Sequence, residues 1–343
     1  MQKGAGSGGT ATAKQKKGKQ KADVFPSSMK AAAIDRFGPP EVLTLHTIPV
    51  LKPGPTDVLI ALHAAGVGYW DARIRDGTWA SKPLKPPLAL GADGAGFIAS
   101  KGARVRRFKT GDRVWATQYE NPKGGFYAEY VTVDARNVAL APRQLSLLEA
   151  GASVVTGLTA LQGIDDILHV RREETVLIFG ASGAVGSLAV QFAKRLGARV
   201  IGTASGGDAS ALVRKLGADE VFDARGRDAA QQLRALAPGG LDAVLALAGG
   251  DACEQCLDLV RAGGRIAYPN GVEPEPRKRS GITVKAYNGE AGPDEFTRLE
   301  RAVSEAGLQV PIAAVFPLDQ AAKAHARLEQ GHVPGRIVLR IRP

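Results

Sequence analysis

The sequence predicts an α/β protein in which a mostly β part is joined to a doubly wound, parallel sheet of six strands. Short strand signals separated by glycine and proline occupy residues 29–150. From about residue 153, apolar strand segments alternate with helical segments, the pattern of a parallel sheet covered by helices on both faces. With 343 residues, the chain is long enough to form two domains with separate cores.

The mostly β part is predicted to span residues 29–152 and to be completed by residues 308–343. Turn-forming sequences such as Pro53-Gly54-Pro55 separate its strands. The strands of its first portion are predicted at 30–34, 58–63, 96–100, 113–116 and 128–133. In its last portion, a helix over 319–330 precedes a strand over 335–341, which we expect to rejoin the first portion.

The parallel sheet is predicted to lie within residues 153–307. A helix over 158–168 leads into its first strand, and a helix over 294–306 follows its last strand. Sequences such as Leu196-Gly197-Ala198 mark helix ends, because glycine readily adopts the left-handed conformation found there. The six strands are predicted at 175–179, 199–203, 220–223, 243–248, 265–268 and 283–286.

A glycine turn follows the first of these strands and opens an amphipathic helix that leads to the second. The turn contains Ser182, Gly183, Ala184, Val185 and Gly186, and Ala181 stands where the usual pattern has its first glycine. Such a turn lets backbone amides at the helix N-terminus approach a pyrophosphate. The strand–turn–helix–strand order therefore predicts a dinucleotide-binding unit. A tight turn without a ligand is the alternative.

The end of the second strand indicates which dinucleotide is bound. An NAD site normally has an acidic residue about 20 residues after the glycines, where it binds the ribose hydroxyls. Ala204 and Ser205 occupy that place. Ser205 can donate a hydrogen bond to a 2′-phosphate and Arg225 can supply charge, so we expect NADPH rather than NADH. Asp208, a few residues further on, is the competing observation.

The formal net charge of +11 is unevenly distributed, since six lysines and one aspartate lie in residues 1–24. Residues 1–28 are too polar to form a core and are predicted to be a disordered basic tail. A lysine tail can contact nucleic acid, but this one lacks the aromatic residues that stack on bases, so we do not expect nucleic-acid binding.

The two cysteines, Cys253 and Cys256, have the spacing of a redox pair or of half a zinc site. They lie three residues apart on a predicted helix, so packing in the core is the favoured interpretation. Two cysteines exclude a disulfide framework and suit a reducing cytoplasm. No apolar run approaches the roughly 20 residues that span a membrane, and no signal-peptide pattern is present.

An ordered series of landmarks from residue 29 to residue 342 resembles the medium-chain dehydrogenase/reductase superfamily, most closely its zinc-free quinone-oxidoreductase branch. The resemblance implies a GroES-like catalytic domain for the mostly β part and a Rossmann domain for the parallel sheet. The landmarks include Ala64-Ala65-Gly66-Val67-Gly68-Tyr69-Trp70-Asp71, Leu90-Gly91-Ala92-Asp93-Gly94, Gly125-Phe126-Tyr127-Ala128-Glu129-Tyr130, the glycine turn, and Gly335-Arg336-Ile337-Val338-Leu339.

The same resemblance argues against a metal. Zinc-dependent relatives have a cysteine ligand where Gly68 stands and a histidine ligand where Ala92 stands, and neither residue here can bind zinc. Zinc-free relatives commonly carry an asparagine at the position of Gly68. The glycine departs from that pattern and leaves space that Tyr69 or Trp70 can fill.

The resemblance implies hydride transfer from NADPH to a quinone or an α,β-unsaturated carbonyl in a cleft between the domains. The enolate formed needs a proton, for which Tyr69 is the candidate donor and water the alternative. Backbone contacts to the pyrophosphate are expected from Gly183, Ala184, Val185 and Gly186. The other residues expected around the cofactor are Thr156, Ser182, Ser205, Arg225, Gly249, Asn270, Gly271 and Tyr287.

Two further expectations concern function and assembly. A cofactor-binding protein with little turnover, in a regulatory or structural role, is the alternative function, because Gly68 replaces a polar contact. The relatives are often homodimers joined through an edge of the Rossmann sheet, which the predicted strand near 282–287 would provide.

Overall fold

The structure, a computed structural model, describes residues 25–79, 83, 85–119, 121–226 and 228–342. The predicted basic tail lies outside the described residues except for its last four positions. The first strand begins at Ser28, close to the start of ordered sequence expected at Met29.

The first portion of the chain forms two antiparallel sheets. Its elements are β1 (Ser28–Ile34), β2 (Thr44–Pro49), β3 (Asp57–Val67), α1 (Tyr69–Asp76), β4 (Leu88–Ala89), β5 (Asp93–Lys101), β6 (Arg113–Thr117), β7 (Tyr130–Asp134) and β8 (Val138–Leu140). One sheet has the order β2-β1-β4, and in the other β3, β5, β6 and β8 are consecutive neighbours, with β7 also paired to β3. Each predicted strand of this portion is present.

A long buried helix, α2 (Leu147–Gln162), lies between the two kinds of sheet and continues as a π-helical turn, Gly163–Ile167. It packs against β3 and β5 on one side. The prediction of a helix over 158–168 was wrong about its start, because the helix begins after Ser146. The Ser146 and Glu149 side chains form a reciprocal capping box with each other's backbone N–H groups.

This helix also corrects the expectation that no segment approaches the length needed to span a membrane. Leu147–Ile167 has 21 residues, and its most apolar 18-residue window has a mean hydropathy of 1.3, so the helix is long and apolar enough to cross a membrane. Because 83% of its most apolar window is buried inside the fold, its apolar character is explained by packing in the protein core.

The parallel sheet has the six strands that the sequence predicts. Its elements are β9 (Thr175–Phe179), α3 (Ala184–Arg195), β10 (Arg199–Thr203), α4 (Gly207–Lys215), β11 (Glu220–Phe222), α5 (Ala229–Leu236), β12 (Leu241–Ala246), α6 (Asp251–Leu257), β13 (Val260–Pro269) and β14 (Thr283–Tyr287). The order is β11-β10-β9-β12-β13-β14, and every neighbouring pair is parallel. The doubly wound α/β fold is therefore confirmed.

The end of the chain returns to the first sheet. After α7 (Pro293–Ala306) come β15 (Ile312–Pro317), α8 (Ala321–Glu329) and β16 (Arg336–Arg340). As expected for the predicted strand over 335–341, β16 rejoins the first portion by pairing antiparallel with β3, and β15 extends the sheet beyond it.

A buried ion pair fixes the point of return. The Arg336 guanidinium donates to Asp93 Oδ1 at 3.0 Å, and the backbone N–H of Val155 in α2 donates to Asp93 Oδ2 at 3.2 Å. A Cβ atom on Gly66 would lie only 2.5 Å from the same guanidinium, so a side chain at this position of β3 would displace Arg336 from the pair. The pair thus ties β5, α2, β3 and β16 together in the interior.

Removing one member of this pair should be strongly destabilising. Arg336→Met removes the counter-ion of the buried Asp93 carboxylate, which must then remain charged in the interior or take up a proton, so we expect the free energy of unfolding to fall by about 3–5 kcal/mol. Urea denaturation followed by circular dichroism measures the loss. The double variant Asp93→Asn/Arg336→Met should lose less than the sum of the single variants, because they remove one interaction.

Arg301→Met is the control, since Arg301 pairs with Glu305 at 3.7 Å on an exposed helix face and should contribute little. Equal, small losses for Arg336→Met and Arg301→Met would contradict the role given to the buried pair.

Candidate cofactor site and adjoining cleft

The glycine turn between β9 and α3 has two glycines with different steric demands. A Cβ atom on Gly186 would lie 2.2 Å from the carbonyl oxygen of Gly180, so the helix packs too closely for a side chain there. A Cβ atom on Gly183, the N-cap of α3, would meet only that same oxygen at 3.4 Å. Close packing therefore requires Gly186, whereas the surface at Gly183 is open to a ligand.

A cavity of about 540 Å³ opens beside this turn. Ser182, Ser205, Arg225 and Gly249, four of the residues expected around the cofactor, line it. Asp208, the competing acidic residue, also lines it from the first turn of α4. The cavity is of the size found for small-molecule sites and lies at the carboxyl ends of the strands, where doubly wound sheets bind ligands.

Asp223 organises the two residues that were expected to contact a 2′-phosphate. Ser205 Oγ donates to its carboxylate at 3.2 Å, and the Arg225 guanidinium donates to both its oxygens, the shortest bond being 2.7 Å. These bonds, chiefly those from Arg225, lower the pKa of Asp223 to about 2, so it is ionised. The sequence interpretation placed Asp223 inside a strand, but β11 ends at Phe222 and the carboxylate turns back toward Ser205.

The remaining expected cofactor residues fall into a buried and an exposed group. Thr156 and Tyr287 are buried, and their hydroxyls donate to the carbonyl oxygens of Ala152 and Thr159 in α2, at 3.1 and 2.8 Å. Asn270 and Gly271 are exposed in the turn after β13. Their roles in binding stay predictions.

The space next to Gly68 is filled by Trp70. A Cβ atom on Gly68 would lie 2.3 Å from two atoms of the Trp70 indole. That ring lies under the Arg336 guanidinium, 4.8 Å from its centre, and meets the Tyr119 ring edge-on at 6.0 Å. Tyr69, the candidate proton donor, points outward with 58% of its surface exposed. Of the two side chains considered, Trp70 therefore occupies the space that the glycine leaves.

Behind Trp70 lies a buried polar network that the sequence analysis did not predict. Asp71 accepts hydrogen bonds from the Gly68 N–H at 2.9 Å and from the Tyr127 hydroxyl at 3.0 Å. Burial, together with the nearby charge of Asp93, raises the pKa of Asp71 to about 7. Protonation of Asp71 is thus much easier than that of an exposed aspartate.

The network continues to His325 and Arg75. The guanidinium of Arg75 can only donate, so His325 Nδ1 accepts its bond at 3.0 Å, and Nε2 then carries the proton that faces the Tyr127 hydroxyl at 3.3 Å. Burial, with Arg75 beside it, lowers the pKa of His325 to about 3 and keeps the ring neutral. The donors therefore follow one direction, from Arg75 toward Asp71.

The described residues provide no group of three or more His, Cys, Asp and Glu side chains that could hold a metal ion. Cys253 and Cys256 are both buried on α6, and burial raises their pKa to about 12 and about 11. A thiolate is disfavoured at either position, which agrees with the interpretation that they pack in the core.

The contact between Gly68 and Trp70 makes a steric prediction. In Gly68→Ala the new methyl group overlaps the indole, so we expect a loss of about 1–3 kcal/mol in unfolding free energy and a shift in tryptophan emission. In a Trp70→Ala background the same change should cost little. Gly239→Ala is the control, because no atom lies within 4 Å of that site. Equal costs in both backgrounds would show that the indole does not occupy this space.

Comparison with known proteins places the chain in a family. The family model described as an alcohol dehydrogenase GroES-like domain matches residues 54–143, and the one described as a zinc-binding dehydrogenase matches residues 216–339. A quinone oxidoreductase of Sus scrofa is 33% identical over 312 residues, covering 87% of this chain and 93% of that protein.

Solved structures agree. A quinone oxidoreductase from Coxiella burnetii has a TM-score of 0.83 at 33% identity, covering 92% of this chain and 100% of its own. The Escherichia coli quinone oxidoreductase complexed with NADPH has a TM-score of 0.81 at 26% identity, covering 92% and 99%. With its GroES-like and Rossmann folds, the chain belongs to the medium-chain dehydrogenase/reductase superfamily of oxidoreductases, in the quinone oxidoreductase branch.

Proposed function

We propose that this protein is an NADPH-dependent, zinc-independent reductase that transfers hydride to a quinone or an α,β-unsaturated carbonyl. The observation that carries the proposal is the open surface of Gly183 at the N-terminus of α3, beside a cavity lined by Ser182, Ser205 and Arg225. The NADPH held by the related Escherichia coli enzyme supports the choice of cofactor.

The residues present fit a dinucleotide. The first amides of α3, from Ala184, Val185 and Gly186, have no partners within the helix and can bind a pyrophosphate. Gly183 leaves the approach clear. We assign Ser205 and Arg225 to the 2′-phosphate, and Thr156, Ser182, Gly249, Asn270, Gly271 and Tyr287 to the rest of the cofactor. When bound, the nicotinamide supplies the hydride.

We propose zinc independence because of the residues that stand at the zinc-ligand positions of relatives. Gly68 and Ala92 carry no donor atom, so the zinc-ligand positions of dehydrogenase relatives cannot be used here. A conjugated acceptor spreads the incoming charge onto its own oxygen, which reduces the need for a metal. Tyr69, exposed at the first turn of α1, is the proposed proton donor to the resulting enolate, with water as the alternative.

The second candidate is a cofactor-binding protein with little turnover. The observation that favours it is the Trp70 indole, which fills the space next to Gly68 with a half-buried aromatic ring. We further propose a homodimer joined at β14, the edge strand of the parallel sheet, and a cytoplasmic location that suits two unpaired cysteines.

Turnover separates the two candidates. NADPH oxidation is followed at the nicotinamide absorbance band with a quinone and with a short enone, in buffer containing a metal chelator. A reductase should oxidise NADPH with at least one acceptor at a rate that chelation leaves unchanged. Tight NADPH binding without turnover on either acceptor would favour the binding protein, and loss of turnover on chelation would contradict zinc independence.

The glycine turn allows the cofactor assignment to be tested separately from folding. Gly183→Asn places a side chain where the pyrophosphate is proposed, yet asparagine is a favoured N-cap, so folding should be preserved. We expect NADPH affinity to fall at least about tenfold, a cost of about 1.4 kcal/mol or more. Fluorescence titration measures affinity, and thermal unfolding checks the fold.

Two other glycines serve as controls. Gly186→Ala should destabilise the protein by about 1–3 kcal/mol through its overlap with the Gly180 carbonyl. Gly239→Asn, at an open position away from the cavity, should alter neither property. Unchanged NADPH affinity in Gly183→Asn would refute the assignment of the pyrophosphate site.

A further inference from the structure

The cavity beside the glycine turn has a contribution from the far end of the chain. His332 and Pro334, in the segment between α8 and β16, line it together with Ser205 and Arg225. His332 is exposed and has a left-handed backbone with φ of 51°. Residues other than glycine rarely adopt that conformation, and where it persists the surrounding structure enforces it, often at a ligand site.

The contacts of this segment show what enforces it. The Arg327 guanidinium donates to the carbonyl oxygens of Gly331 at 2.9 Å and of His332 at 3.3 Å. On the other side of His332, the Gly335 N–H donates to the Ser182 carbonyl oxygen at 2.8 Å, within the glycine turn. The backbone of the segment is therefore held on both sides of His332, which places this residue beside the cavity before any ligand arrives.

The other charged residues that line the cavity offer few free hydrogen-bond donors, and this histidine can supply one. Among the residues that the structure describes, the ionisable ones that line the cavity are Asp208, Arg225 and His332. Arg225 already donates to the ionised Asp223, so that pair carries little net charge, and Asp208 can only accept. The described part of the chain offers the His332 imidazole no hydrogen-bond partner, so its donor capacity is available to a ligand.

We propose that His332 binds the 2′-phosphate of NADPH and is a determinant of the preference for NADPH over NADH. The inference rests on the proposed function, because it assumes a nicotinamide dinucleotide in this cavity. A phosphate monoester carries about 1.5 to 2 negative charges at neutral pH and forms strong bonds with ring N–H donors. With Ser205 and Arg225 on one side and His332 on the other, the phosphate would be held between the Rossmann domain and the end of the chain.

The test is His332→Asn, with NADPH and NADH affinities measured by fluorescence titration on the full-length protein. Asparagine tolerates the left-handed conformation, so the backbone of the segment should be kept. Loss of a charge-assisted hydrogen bond should weaken NADPH binding roughly tenfold to a hundredfold. NADH affinity should stay within about twofold, since NADH has no 2′-phosphate.

His169→Asn is the matched control. His169 is also exposed and also left-handed, with φ of 47°, but it follows the π-helical turn after α2 and does not line the cavity. It should change neither affinity. Thermal unfolding of both variants should match that of the parent protein.

The remaining outcomes overturn the inference in ways that can be told apart. If the affinity of His332→Asn for NADPH is unchanged and the parent protein still prefers NADPH, His332 does not bind the 2′-phosphate, but the proposed function stands. An equal loss for both cofactors shows that His332 only shapes the segment. A parent protein that binds NADH as tightly as NADPH, or binds neither, removes the proposed cofactor and this inference with it.

Discussion

The structure depends most on the buried ion pair between Asp93 and Arg336. Its members lie 243 residues apart in the chain, and a third contact, from Val155 in α2, binds the same carboxylate. A buried pair adds little net stability, because desolvation offsets the attraction. It is tolerated only when the two side chains are held at the right distance and orientation. That geometry fixes β16 in the first sheet and places Gly335, the preceding residue, against Ser182 of the glycine turn. This one interaction thus positions the end of the chain relative to both the GroES-like and the Rossmann domains.

A packed layer formed by Trp70, Gly68 and Asp71 extends outward from that pair. Arg336 covers the indole of Trp70, the indole covers Gly68, and the Gly68 N–H donates to Asp71. Each of these residues contacts the next, so we expect the effects of substitutions within the layer to be coupled. Tyr69, the residue before Trp70, lies outside this layer and has 58% of its surface accessible.

Local sequence was sufficient to predict the helices, the strands and the glycine turn, but not the packing around Trp70 and Gly68. Apolar periodicity and turn glycines placed the strands of the parallel sheet within a few residues, because both signals act over short stretches. The start of α2 was missed although Ser146 and Glu149 form a recognisable capping box. By contrast, the return of Asp223 toward Ser205 and the stacking of Trp70 on Arg336 depend on tertiary packing. No spacing in the sequence encodes them.

The phosphate end of the cavity shows how this difference bears on cofactor choice. The sequence favoured NADPH because Ser205 stands where NAD sites normally have an acidic residue. The structure nevertheless brings the carboxylate of Asp223 to the same place. A free carboxylate there would repel a 2′-phosphate, but Arg225 binds it and cancels most of its charge. In the proposed complex, Ser205 and Arg225 offer hydrogen-bond donors to the 2′-phosphate but little net positive charge, and His332 is the further donor that we propose. Gly335 anchors the segment that carries His332 to the glycine turn, so a cofactor bound there would join the two domains at its phosphates.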